Sequence, residues 1–238
     1  MEKMKINIWS DIRCPFCYIG KRKFEKAVEG FPHKNQLEIN WQSFQLEPDL
    51  KTEPDMNSIT HFSQRKGVSP DQVKQMYAQV EQVASEIGLD FQLDSSVVAN
   101  SFNAHRLIQF AQSQGLGNEV EETLFKAYFT ENKNIDDKAT LLEIGVSIGL
   151  DKKDVESLLA SDAFSEKVNQ DMTDAQALGI NGVPFFVFND KYAVSGAQSP
   201  EVFLQTIEHA WKEFEKNHEP QKLVITDGQS CSTDGSCN

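Results

Sequence analysis

Residues 4–10, MKINIWS, set apolar Ile6 and Ile8 against polar Asn7. That alternation predicts a strand. The period then changes. Tyr18, Ile19, Phe24, Ala27 and Val28 can share one face of a helix beginning near Cys14. Pro15 suits its first turn, where a missing N–H costs nothing, and Gly30 with Pro32 ends it. Period two returns in QLEINWQSFQL (36–46), at Leu37, Ile39 and Trp41. A strand–helix–strand opening with a link this long predicts a crossover and a parallel pair.

From about 55 to 178 the apolar positions keep helical spacing. In SPDQVKQMYAQVEQVASEIG, Ser69 suits the N-cap, Pro70 the first position, Gln72 a capping box and Gly88 the stop. VVANSFNAHRLIQFAQSQG, NEVEETLFKAYFTEN, DKATLLEIGVSIG, DKKDVESLLAS and DAFSEKVNQDMTDAQALG read as further helices, each with Asp, Asn or Ser near its start. Their apolar stripes are explained by helix–helix packing.

Strand character returns at 182–196, GVPFFVFNDKYAVSG. The unbroken run PFFVF predicts a strand buried on both faces, with Asn189-Asp190 as the turn of a hairpin. The final helix, SPEVFLQTIEHAWKEFEKN, has Ser199 as cap and a stripe of Phe203, Ile207, Ala210, Trp211 and Phe214. From 219 the chain is polar and rich in Gly, Ser and Asp, a composition that predicts a mobile tail. The order β-α-β, helices, β-β-α predicts an α/β fold: a small mixed sheet interrupted by an all-α insertion. The corresponding units are 1–54 with 179–218, the helical insertion 55–178, and the tail 219–238.

Charge narrows the partners. The 238 residues carry a formal net charge of −13, which argues against nucleic acid or an anionic membrane surface. No run of about 18 apolar residues predicts a transmembrane helix. MEKMKINIWSD lacks an apolar signal region, so the expected location is the cytoplasm. Structural disulfides are rare there. Oligomeric state is not legible in the sequence.

The four cysteines fall into two pairs, Cys14 with Cys17 and Cys231 with Cys237. The first is C-x-x-C on a predicted first helical turn, where the two thiols lie close enough to form a disulfide. Unpaired N–H groups and the dipole at a helix start favour a thiolate, the reacting species. Cys14, nearer the start, is expected to attack, and Cys17, deeper, to resolve the mixed disulfide. Pro15 and Phe16 add no hydrogen-bonding side chain and are expected beside the substrate. A reduced packing pair and half of a zinc site are the other readings of C-x-x-C. Pro184 is awkward at the start of a buried strand. A cis Val183–Pro184 bond would answer this and free the Val183 backbone to receive a substrate as an added strand. A plain loop proline is the alternative.

SDIRCPFCYIGKRKFE, the helical insertion, NAHRL (103–107) and LGINGVPFFVFNDKYAVSGAQ (178–198) together resemble the DsbA family of thioredoxin-fold oxidoreductases, in its cytoplasmic FrnE-like branch. The resemblance runs from residue 4 to about 215. It implies a thioredoxin-like core with a helical insertion and dithiol–disulfide exchange on protein or small-molecule thiols and disulfides. No organic cofactor or metal is implied, and glutathione is a candidate reductant. It maps the redox pair onto Cys14 and Cys17 and the cis-proline onto Pro184, and suggests that His105 and Arg106 face the cleft. The wider superfamily includes glutathione transferases of the kappa class and 2-hydroxychromene-2-carboxylate isomerases. These usually carry Ser where Cys14 stands, so a glutathione-dependent transferase or isomerase is the alternative. Asp11 has two readings, a proton carrier for the buried thiol or a cap on the helix turn. Cys231 and Cys237 are a candidate second redox pair, an inert pair, or partners of Cys14 and Cys17 on one zinc ion.

Overall fold

The computed structural model describes residues 2–218. Cys231 and Cys237 and the tail expected to be mobile lie outside them. The chain opens with strand β1 (Met4–Ser10), helix α1 (Pro15–Glu29) and strand β2 (Leu37–Ser43). Helices α2 (Ser58–Lys66), α3 (Pro70–Ser85), α4 (Phe102–Ser113) and α5 (Gly117–Phe129) follow. After α6 (Lys138–Ser147), α7 (Lys152–Ala160) and α8 (Ser165–Ala177), the chain returns to strands β3 (Phe185–Phe188) and β4 (Tyr192–Ser195) and ends on helix α9 (Pro200–His218).

The sheet order is β2-β1-β3-β4. β1 pairs with β2 in parallel, Met4 opposite Leu37 through Ser10 opposite Ser43, and with β3 antiparallel, Ile6 opposite Phe188. The hairpin of β3 and β4 turns at Asn189 and Asp190, both at positive φ, as the sequence predicts. Met4, Ile6 and Ile8 are fully buried on one sheet face. There Phe24 of α1, Phe203 of α9, and Phe186 and Phe188 of β3 form a ring cluster.

The sequence overstates the burial of β3. Phe186 and Phe188 are buried, but Phe185 and Val187 are half-buried. The second face is covered less completely, by a small cluster of Trp9, Ala175 and Ile180. Asp171 of α8, fully buried, ties that side together. Its carboxylate accepts from Ser43 N–H (2.8 Å) and Gln109 Nε2 (3.0 Å), and its carbonyl from Trp9 Nε1 (3.0 Å).

Helix starts divide by cap. Ser69 and Gln72 make the predicted capping box, and Asp137 and Asp151 cap α6 and α7. α5 and α8 follow Leu116 and Phe164, neither of which gives a side-chain cap. α4 starts later than its periodicity suggests, because Val98 pairs with Glu53 in an isolated bridge and Asn100 Oδ1 accepts from Phe102 N–H at 2.7 Å. The main buried cluster runs without a break from the sheet into the helical stretch. No helix among the described residues is long and apolar enough to cross a membrane.

Candidate active site

β1 and α1 are joined by a short turn that makes Cys14 the last non-helical residue, with φ −94° and ψ 110°. Cys14 N–H donates to the Asp11 carbonyl and Cys17 N–H to the Cys14 carbonyl, each at 2.9 Å. Pro15 takes the first helical position, and neither a side-chain cap nor an acidic residue occupies the first turn. Pro15 has no N–H and that of Cys17 is taken by Cys14, so the first turn offers an anion the Phe16 N–H and the helix dipole.

The Cys14 thiol donates to the carbonyl of Val183 at 3.6 Å, and the Val183–Pro184 bond is cis. Residues 14 and 183 are thereby brought together from opposite ends of the fold. Both cysteines are free thiols. Cys14 lines a groove of about 300 Å³, whereas Cys17 lies beneath it, 1% exposed. Burial pushes the Cys17 thiol well above its ordinary value, and its contact with Cys14 adds to this.

Gly20 fixes the distance between helix and proline loop. A Cβ there would sit 2.9 Å from Pro184 Cγ. Only a residue without a side chain lets α1 press this closely on the loop.

Asp11 is fully buried under the turn. Its carboxylate accepts from Leu46 N–H (2.8 Å) and Arg13 N–H (3.2 Å). It therefore does not cap α1; it ties the turn to the segment after β2. His105 Nε2 lies 3.5 Å from Asp11 Oδ1, and neither ring nitrogen makes a hydrogen bond. Burial alone would raise the Asp11 carboxyl, but His105, Leu46 N–H and Arg13 outweigh it and hold it below the usual range.

Arg106 is not in the cleft. Its guanidinium donates to the carbonyl of Leu158 (2.6 Å) in the last turn of α7 and to those of Ser161 and Ala163 (2.9 Å) just past it. The expected cleft pair thus separates: His105 turns towards Asp11 behind the turn, and Arg106 ties helices together. Neither lines the groove. Pro15 and Phe16 do, and Phe16 stands 45% exposed at the mouth.

The rest of the groove comes from residues the sequence reading left aside. His61, Arg65 and Lys66 on α2 form one wall, with apolar side chains of α3 and α5 behind them. Glu47 pairs with Arg13 at 2.6 Å and with Arg65 at 2.7 Å, and joins α2 to the cysteine turn. Arg65 and Lys66 sit in the last turn of a short capped helix, a sequence signal for a helix end but not for a site. Among the described residues no cluster of three or more His, Cys, Asp or Glu side chains is placed to hold a metal ion.

The family model described as DSBA-like thioredoxin domain matches residues 5–208. The chain belongs to this family. A probable DsbA oxidoreductase, SCO1869 from Streptomyces coelicolor, superposes with a TM-score of 0.83 at 33% identity, covering 99% of this chain and 98% of that one. The uncharacterized protein YwbO of Bacillus subtilis is 26% identical over 205 residues, 85% of this chain and 94% of its own length. The cytosolic disulfide reductase DsbM from Pseudomonas aeruginosa, solved with GSH, shares the fold at a TM-score of 0.59 and 18% identity, over 90% of this chain and 98% of that one. The DsbA-like thioredoxin fold read from the sequence is therefore the fold of the molecule.

Proposed function

We propose that this protein is a cytoplasmic thiol–disulfide oxidoreductase or isomerase of the FrnE-like branch, working through Cys14 and Cys17. One observation carries the reading: Cys14, 5% exposed, lines the groove with its sulfur against the Val183 carbonyl, and the Cys17 thiol packs directly beneath.

The Cys14 thiolate attacks one sulfur of a substrate disulfide. That S–S bond breaks, a Cys14–substrate mixed disulfide forms, and the other substrate sulfur leaves as a thiolate. Cys17 then gives up its proton and attacks the Cys14 sulfur. The second substrate thiolate is released and a Cys14–Cys17 disulfide remains. The substrate disulfide is reduced and the protein dithiol oxidised; a dithiol reductant or glutathione restores it. Val183 and Pro184 flank the reacting sulfur and guide the substrate backbone. Burial keeps Cys17 protonated until the mixed disulfide forms beside it.

The test is redox titration of the wild type and Cys14→Ser in glutathione buffers, with insulin reduction and refolding of a scrambled disulfide protein followed in parallel. The wild type is expected to cycle one dithiol at Cys14 and Cys17 and to reduce or reshuffle disulfides, and Cys14→Ser to do neither. Full activity of Cys14→Ser on a small glutathione-dependent substrate would instead support a transferase or isomerase.

A further inference from the structure

Resting on that reading, we propose that the groove beside Cys14 selects peptide disulfides that are both apolar and acidic. It seats one large apolar side chain next to the reacting sulfur and a carboxylate against Arg65 and Lys66.

The shape sets the first half. About 300 Å³ is at the small end of ligand sites, room for a side chain or two rather than a folded surface. The walls are Phe62, Met76, Tyr77, Leu93, Val97 and Phe129. Phe16 on one lip is 45% exposed and Met76 on the other is 43% exposed. Both are large apolar groups left in water beside a reactive cysteine. Covering such a patch with an apolar partner side chain is favourable. Met76 is unbranched and can adapt to different occupants.

Charge sets the second half. Arg13, Arg65 and Lys66 line the groove, and His61 stands with them. One carboxylate, Glu47, pairs with Arg13, Arg65 and His61. Lys66 lies over the Phe62 ring at 6.0 Å, and among the described residues no carboxylate pairs with it. Three fixed cations against Glu47 and the Asp11 carboxylate buried behind Arg13 leave a local surplus of positive charge in a chain whose net charge is −13. The surplus sits at the rim, where a partner's carboxylate is steered in and held. A basic peptide meets the rim cations at once and the acidic body at longer range.

The experiment uses cysteine peptides as mixed disulfides with 2-nitro-5-thiobenzoate. The Cys14 thiolate attacks the peptide sulfur, the new mixed disulfide forms, and the coloured thiolate leaves. Cys17 then displaces the peptide thiolate. Three peptides are compared: Phe-Cys followed by two Glu, Phe-Cys followed by two Lys, and Gly-Cys followed by two Glu. The first is expected to react about five- to tenfold faster than either other, the size of one partly buried apolar side chain or two partly exposed ion pairs. High salt is expected to shrink the acid preference. Arg65→Gln with Lys66→Gln is expected to bring the Glu and Lys peptides within about twofold, and Arg65→Glu with Lys66→Glu to favour the Lys peptide. An inverted preference requires a folded groove, so it separates lost selectivity from lost structure. Equal wild-type rates for the three peptides, or an acid preference that survives the charge reversal, would overturn the inference and leave the oxidoreductase reading standing. No chromophore release from any peptide, or undiminished release by Cys14→Ser, would overturn both.

Discussion

Glu121 lies on α5, 1% exposed, with Oε2 making no hydrogen bond. Burial pushes its carboxyl up to about 8; Lys21 pulls the other way, while Asp11 and Glu122 add to the rise. Its unfolded value is near the ordinary 4.5. Between the two, the folded protein holds a proton that the unfolded chain has released. Stability therefore falls as pH rises through that window, by up to about 1.4 kcal/mol per unit, and levels off above the folded value. Glu121→Gln removes this dependence. The variant is expected to gain on the wild type from pH 5 to pH 8 in denaturant titrations, and parallel profiles would show that Glu121 is charged throughout. No motif marks Glu121 in the sequence; only the fold makes it a buried acid. Arg106 is the reverse case. NAHRL is visible in the sequence, but the three carbonyls that claim its guanidinium lie over fifty residues away on the α7 side.

At the scale of elements, one contact decides how the cysteine helix meets the proline loop. Replacing Gly20 by Ala would improve helix propensity by about 1 kcal/mol. The new methyl would also lie 2.9 Å from Pro184 Cγ and 3.5 Å from Phe186 Cζ, in a packed layer where overfilling costs about 1–3 kcal/mol. A proline ring cannot swing aside as a long side chain does, so the cost wins. Gly20→Ala is expected to lose up to about 2 kcal/mol by chemical denaturation and to slow thiol exchange, because the loop carrying Val183 must move away from Cys14. Unchanged stability and rate would mean that the loop yields freely. Elements themselves were largely legible. Period two and period 3.6 located β1, α1, β2, the hairpin and α9, because each buries one face against a neighbour. Helix starts were legible where a side chain caps them, as at Ser69, Asp137 and Asp151, or where a proline opens the first turn, as at Pro15. α5 and α8 start where packing rather than a cap turns the chain, and Asn118, near the start of α5, instead reaches Glu25 at 3.2 Å.

For the whole molecule, the cysteine pair and Pro184 were readable as local motifs, but their meeting was not. Cys14 and Val183 are 169 residues apart, and the sheet order β2-β1-β3-β4 is what sets β3 beside β1 and its leading loop beside α1. The groove was invisible for the same reason: α2 reaches the cysteine turn through Glu47, an exposed-looking acid in sequence that in the fold gathers Arg13, His61 and Arg65. Cations around it outweigh burial and hold its carboxyl below the usual range. In the proposed cycle Cys14 attacks and Cys17 resolves. The most direct measurement is mass spectrometry of Cys17→Ala after exposure to a disulfide substrate, with tryptic mapping of the modified cysteine. The expected result is a persistent mixed disulfide on Cys14, absent in Cys14→Ser and cleared rapidly in the wild type. A mixed disulfide that maps to another cysteine, or one that the wild type retains as long as Cys17→Ala does, would contradict it.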